Sequence, residues 1–195
     1  ILSGLVGSEM CIRDSLKPGS QPDPLFAQVL LRRTPKTDFD TTRAIAPGVL
    51  AQLLGSAPAE APLSVGGTVS ADQLPALRTL CWESARVELL TPRTMMESIQ
   101  LTRVGPGEIL QHRDGISINS PFVRAVDALG MFDRTQPPAE GSAAYKSAMG
   151  RFEGHSRTAM GFVWITGPNT RSDQIRTGRL YVRQQLQATA LGVGM

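Results

Sequence analysis

Residues 158–191 read TAMGFVWITGPNTRSDQIRTGRLYVRQQLQATAL and carry the strongest structural signals of the chain. The first nine residues, 158–166, have an almost continuous apolar centre, which predicts a strand buried on both faces. A Gly-Pro-Asn turn follows. Ser172 is then placed to cap a long helix whose apolar residues recur at helical spacing up to Leu191. A strand leading into a long helix favours a layered fold over a sandwich or a bundle.

The rest of the chain alternates helix signals with one weaker strand signal. Most of the predicted helices begin with a capping residue or a proline and continue with apolar residues at helical spacing; they cover residues 23–33, 47–54, 70–89, 91–104, 122–130 and 142–152. In the third helix, Ser70 and Gln73 stand at capping-box spacing. Residues 63–69 predict a short strand whose glycine pair admits a bulge, and residues 105–121 predict a long ordered loop. The architecture expected is α+β, helix-rich around a small sheet.

Composition limits the classes of protein that remain. The chain has 195 residues, of which 41% are hydrophobic and 19% charged, and this suits one globular domain or two small ones. No run of about 18 apolar residues occurs, so no membrane span is expected. The net charge is only +3 and no basic block appears, so nucleic acid is not an expected partner.

Motifs for several common chemistries are absent from the sequence. No glycine-rich dinucleotide fingerprint follows a strand, and no P-loop, zinc-protease or serine-hydrolase motif occurs. Cys11 and Cys81 are too far apart in sequence to form a zinc site by themselves, and Cys81 falls on an apolar helix stripe as a predicted core residue. His112 and His155 are predicted to be ordinary surface or loop residues. The sequence therefore offers no metal site and no catalytic acid or base.

Both ends of the chain differ from what an intact domain would show. Residues 1–15, ILSGLVGSEMCIRDS, have neither an apolar period nor the features of a signal peptide. Within them, residues 8–15, SEMCIRDS, resemble translated adapter sequence from metagenomic assemblies. We expect residues 1–15 to be non-native. Residues 192–194 look like a helix exit leading into a strand, so residues 16–195 are expected to be part of a domain truncated at its C-terminus.

Residues 31–40, LRRTPKTDFD, carry the most informative cluster of polar groups. Arg32, Arg33, Thr34 and Lys36 place cations and a hydroxyl within a few residues of a turn, a combination that can bind a terminal phosphate. Two alternatives stand beside this interpretation. The cations can complement a helix C-terminus and face water, or the arginine pair can belong to a twin-arginine export signal, which the polar residues that follow argue against.

This segment resembles the R-x-[ST]-x-[RK] motif that begins the FMN-binding domain of nitroreductase-like flavoproteins. The resemblance extends to PRTMMESIQLTRVGPGEI, HRDGISI and NTRSDQIRTGRLYVRQQLQATALGVGM, which are similar to segments of the two-lobed, Acg-type branch of that family. It covers residues 23–195 and implies a nitroreductase-like fold. It also implies that Arg32, Thr34 and Lys36 hold the phosphate of FMN.

The resemblance further implies an oxidoreductase that uses NAD(P)H to reduce a small-molecule acceptor, either quinone-like or nitro-aromatic. The alternative is a non-catalytic protein that binds or stores flavin. A two-lobed pseudo-dimer or a homodimer is expected, with residues 169–194 buried between lobes. Location is expected to be cytoplasmic, with twin-arginine export as the alternative. From the residues themselves, Gly178, Ala188 and Ala190 allow close helix packing. Arg179 and Arg183 are expected to face solvent or form a structural ion pair, with the cofactor phosphate as the alternative.

Overall fold

Helices and short strands alternate along the part of the chain that the structure, a computed structural model, describes: residues 19, 21–35, 37–46, 48–55 and 62–195. A 3₁₀ helix spans Pro24–Gln28. The α-helices are α1 (Val49–Gly55), α2 (Leu74–Leu90), α3 (Pro92–Gln100), α4 (Gly105–Gln111), α5 (Pro121–Ala128), α6 (Ala143–Thr158) and α7 (Arg171–Ala190). The strands are β1 (Ser64–Thr68), β2 (Thr102–Val104), β3 (Ile116–Ile118) and β4 (Phe162–Thr166). The expected helix-rich α+β class is confirmed.

The described strands form two separate two-stranded sheets. β1 and β4 pair antiparallel, from Ser64 opposite Thr166 to Thr68 opposite Phe162. β2 and β3 pair parallel and are joined through α4. The strand predicted in residues 158–166 is confirmed as β4, but the prediction that both of its faces are buried was wrong. Trp164 is 46% exposed, because a two-stranded sheet covers little of the strand's outer face.

The glycine pair of β1, Gly66 and Gly67, lets β4 and α1 pack closely against the strand, and no bulge forms there. The β1–β4 register is unbroken across Gly66 and Gly67. A Cβ atom at Gly66 would collide with the indole ring of Trp164, and one at Gly67 would collide with the backbone oxygen of Phe162 and with Leu50 of α1. Here glycine serves close packing against β4 and α1 rather than an extra residue in the strand.

A hydrophobic core cluster joins α1 to α7. Val49 and Leu53 of α1 pack with Ala188 of α7, and the partly buried apolar residues around them are Ile45, Leu191, Val193 and Met195. Leu180 is also buried. Gly178 and Ala190 are exposed, so of the three small residues only Ala188 serves close packing within this chain. Within this chain α7 thus buries one narrow stripe, and its burial between lobes stays a prediction.

Several predicted boundaries differ from the structure. The helix expected over residues 23–33 is only a five-residue 3₁₀ helix, although Asp23 does cap it by accepting from the Leu25 N–H at 2.9 Å. The long loop expected over residues 105–121 was wrong, since it contains α4 and β3. Val104, predicted to be helical, lies in β2, and its N–H donates to Glu108 Oε2 at 2.7 Å. A helix of seven residues is too short to show a clear apolar period.

The caps of two helices and the exposure of Cys81 also differ from the predictions. Thr170, rather than Ser172, caps α7 and accepts from the Asp173 N–H at 3.2 Å. α2 begins at Leu74 without a side-chain cap, so the predicted capping box does not form. Cys81 is exposed rather than in the core. The helix predicted over this apolar stripe is confirmed as α2, but too little of the described chain packs on the stripe to bury Cys81.

Candidate functional site

Arg32 and Thr34 lie together against α7. The Arg32 guanidinium donates through Nη1 to Thr34 Oγ1 at 3.2 Å and to Gln185 Oε1 at 3.3 Å. Arg32 is half-buried, whereas Thr34 is exposed. Two of the three residues predicted to hold a phosphate therefore meet, and the third, Lys36, lies outside the described residues.

Arg33 uses its side chain differently from its neighbour. Its Nη1 donates to the backbone oxygens of Leu30 at 2.7 Å and Arg32 at 2.8 Å. These bonds satisfy carbonyls at the end of the turn that follows the 3₁₀ helix, which is the helix-end role weighed for the basic pair. The two arginines thus have different roles. Arg33 binds local backbone oxygens, whereas Arg32 contacts α7, a helix distant in sequence.

An ion pair fastens the start of this segment to the same helix. Arg183 Nη1 donates to Asp23 Oδ2 at 2.5 Å. This hydrogen bond is the main cause that holds the pKa of Asp23 below its ordinary value, with the Leu25 N–H as the second cause. The expectation that Arg183 faces solvent or forms a structural ion pair is confirmed. Asp23 binds Arg183 and Arg32 binds Gln185, so both ends of residues 23–32 are attached to α7.

An apolar cavity of about 460 Å³ lies between α1, β4, α7 and the segment that follows Thr34. Most of its wall consists of aliphatic and aromatic side chains, among them Phe39, Ile45, Leu53, Phe162, Tyr181 and Val193. Asp40 and Arg43 are the charged residues in the wall among those the structure describes. A cavity of this size and character is suited to a small organic ligand with an apolar ring system.

Tyr181 and Gln185 connect this cavity to Arg32. Gln185 Nε2 donates to Tyr181 Oη at 2.7 Å, while the carbonyl oxygen of the same amide accepts from Arg32. Tyr181 lines the cavity one helical turn away. A continuous hydrogen-bonded path thus runs from Arg32 and Thr34, the residues predicted to bind a phosphate, to the cavity wall. Sequence reasoning missed both residues, and their only local signal was the four-residue spacing.

Phe39 is held in the cavity wall by α6. Its N–H donates to Thr158 Oγ1 at 2.9 Å, and its ring lies 5.9 Å from that of His155 at an interplanar angle of 44°. His155 is half-buried in α6, so its prediction as a surface or loop residue was wrong. His112 is exposed at the end of α4, as expected. Contact with Phe39 comes from a segment over 100 residues away, which the local sequence cannot show.

Asp40 is an exposed carboxylate in the wall of the cavity. It accepts from Thr42 Oγ1 at 2.5 Å and from the Thr42 N–H at 3.0 Å, and these two bonds lower its pKa. Arg43 adds a smaller electrostatic contribution in the same direction. No group of His, Cys, Asp or Glu able to hold a metal ion occurs in the described parts of the chain. Among those same residues, no helix is long and apolar enough to cross a membrane.

Comparison of this chain with protein-family models, with curated proteins and with solved structures returned no match.

Proposed function

We propose that this protein is an FMN-binding oxidoreductase of the nitroreductase type, which uses NAD(P)H to reduce quinone-like or nitro-aromatic acceptors. The observation that supports it is the path from Arg32 and Thr34, through Gln185 and Tyr181, to an apolar cavity. FMN combines a terminal phosphate with a planar ring system. The site offers a cationic, hydroxyl-bearing end and an apolar end for those two parts.

The residues present fit such a ligand in size and in chemistry. Ligand cavities in proteins span roughly 300–1,000 Å³, and the cavity here is about 460 Å³. An arginine beside a hydroxyl suits a phosphate, because guanidinium N–H groups match the spacing of phosphate oxygens and the threonine adds a neutral partner. By the resemblance, Lys36 is the third group of this set.

The chain binds and orients, and a bound flavin would supply the hydride-accepting chemistry. Arg32 and Thr34 fix the phosphate end. Phe39 and Tyr181 present aromatic surface toward the cavity. Arg43 adds a positive charge to the wall, where it favours extra electron density on a bound ring, while Asp40 stays ionised beside it. None of these roles requires a protein acid or base.

Flavin titration of the whole chain tests the proposal. We expect FMN to bind, with its fluorescence quenched by the protein, and riboflavin, which lacks the phosphate, to bind at least about tenfold more weakly. Failure of both flavins to bind at micromolar protein contradicts the proposal. Oxidation of NADH or NADPH by the loaded protein, with a quinone as acceptor, then distinguishes an oxidoreductase from a protein that only binds or stores flavin.

We propose further that the chain functions as a homodimer or as one lobe of a pseudo-dimer. Large apolar side chains are exposed around the 3₁₀ helix, with Leu30 82% exposed and Phe26 69%. Phe26 and Val182 of α7 border one shallow cavity, so this exposed apolar surface extends onto α7. Light scattering should give a mass above that of one chain, and a well-behaved monomer at all concentrations contradicts this proposal.

A further inference from the structure

Gln184 is the most completely buried large side chain of the described chain, and it is polar. It is 1% exposed, and neither its amide nitrogen nor its amide oxygen has a hydrogen-bond partner among the residues the structure describes. Buried side-chain amides in native proteins are nearly always paired, because an unpaired one loses its bonds to water without replacement. An amide with both atoms unpaired therefore calls for a partner that the described residues do not provide.

Gln184 borders a second cavity of about 460 Å³ between β4 and α7. Val163, Tyr181 and Met195 line both this cavity and the larger one described above, so the two spaces share a wall. Met195 is half-buried, and the unbranched thioether of methionine adapts readily to a changed neighbour. A ligand ring in the larger cavity thus lies one side chain away from the space beside Gln184.

The chemistry of a primary amide selects the kind of partner. The carbonyl oxygen accepts and the adjacent NH₂ donates, so the two atoms together match a ring edge that carries an N–H next to a C=O. A carboxylate would satisfy only the nitrogen, and an isolated hydroxyl would leave one atom unpaired. The imide edge of a pyrimidine-like ring satisfies both atoms at once, through two parallel hydrogen bonds.

We infer that Gln184 binds the imide edge of the flavin ring, with Met195 moving aside when the ring enters. This inference rests on the proposed function, since FMN contains such an edge at the opposite end from its phosphate. Arg32, whose side chain donates to Gln185 of α7, and Gln184 of the same helix would then hold the two ends of one ligand. Gln184 is a binding and positioning residue in this arrangement and takes no part in proton transfer.

Methylation of the imide nitrogen tests the inference, because it removes the N–H that Gln184 would accept. We expect wild-type protein to bind FMN at least about tenfold more tightly than FMN methylated at that nitrogen. Gln184→Ala removes the amide and leaves room for the methyl group, so this variant should bind the two flavins within about twofold. Gln174→Ala is the matched control: Gln174 borders the same cavity, but its amide already donates to Asn169 Oδ1 at 2.9 Å, so the preference should persist.

Melting of the ligand-free protein gives a second readout that needs no flavin. Gln184→Met keeps the length of the side chain and removes both unpaired atoms, so Tm without ligand should rise while the increase in Tm on adding FMN should shrink. A lower Tm without ligand would contradict the unpaired state of the amide.

The outcomes separate the inference from the proposed function. If wild-type protein binds FMN and its methylated form equally, Gln184 is satisfied otherwise, for example by a buried water, and the inference fails while FMN binding stands. If FMN does not bind at all, both fail. The wild-type comparison decides the inference even if a Gln184 variant does not fold.

Discussion

Replacement of Arg32 by alanine tests the phosphate end of the candidate site. The side chain is half-buried and makes its two hydrogen bonds to Thr34 and Gln185, neither of which is a backbone group of its own turn. Its loss should therefore leave the 3₁₀ helix intact, since Asp23 caps that helix and Arg33 binds the carbonyls after it. The variant should fold normally and lose affinity only for ligands that carry the phosphate.

The expected loss follows from the kind of bond removed. Hydrogen bonds to charged groups contribute roughly 1.5–3 kcal/mol, and each 1.4 kcal/mol is about tenfold in affinity. One such bond to a phosphate oxygen thus corresponds to a loss of roughly 10- to 100-fold in FMN affinity. Because Arg32 is only half-buried, solvent screening favours the lower end of this range.

Fluorescence titration of three proteins with two flavins provides the assay. Arg32→Ala should weaken FMN binding at least about tenfold and leave riboflavin binding nearly unchanged. Arg33→Ala is the matched control, because it also removes one positive charge from the adjacent position. The Arg33 side chain already donates to the backbone oxygens of Leu30 and Arg32, so it is not expected to hold the phosphate. Equal losses in the two variants, or an unchanged ratio of FMN to riboflavin affinity in Arg32→Ala, would refute the assignment.

Three further predictions concern stability. Hydrogen bonds from Arg134 and then from the Val104 N–H lower the pKa of Glu108 to about 2 in the folded protein. Because this folded-state pKa is depressed, the carboxylate stabilises the fold above about pH 4.5 and loses that effect as pH falls toward 2. Denaturant titrations across this range should therefore show a smaller loss of unfolding free energy for Glu108→Gln than for the wild type. Parallel pH dependences of the two proteins would contradict the prediction. Leu180→Ala should destabilise by roughly 2–5 kcal/mol because Leu180 is 3% exposed, whereas Val182→Ala, at a half-exposed position of the same helix, should cost under about 1 kcal/mol; similar costs would argue against the described packing of α7. Deletion of residues 1–15, which lie outside the described part of the chain, should leave Tm unchanged, and a fall of several degrees would show that they pack.

Local signals located most elements of the fold but not their burial. Prolines and capping residues place the starts of helices within a few residues, as at Asp23 and Thr91. The short parallel pair β2–β3 escaped detection, because three-residue strands and a seven-residue helix show no period. Exposure of Cys81 and Trp164 depends on which elements pack against α2 and β4, which is a property of the whole chain.

In the candidate site, too, some residues could be predicted from local sequence and others could not. Arg32 and Thr34 were found because the motif is local, and the structure places them in contact. Gln184 and Gln185 were not found, since glutamine in a polar helix has no distinguishing pattern. Their significance comes from contacts or from burial: Gln185 meets a residue 153 positions earlier, and Gln184 lies on the buried stripe.

α7 contributes both to the candidate site and to the core of the described chain. Leu180, Gln184 and Ala188 follow each other at four-residue intervals and form one buried stripe, so a polar residue occupies the centre of the face that also contributes to the core. An apolar residue at position 184 would satisfy packing and avoid the cost of an unpaired amide. On the inference that Gln184 binds a ligand, a partner of matching polarity in the adjoining cavities would offset this cost. The same helix attaches Asp23 and Arg32, and so sets the distance between the two ends of any ligand held by Arg32 and Gln184.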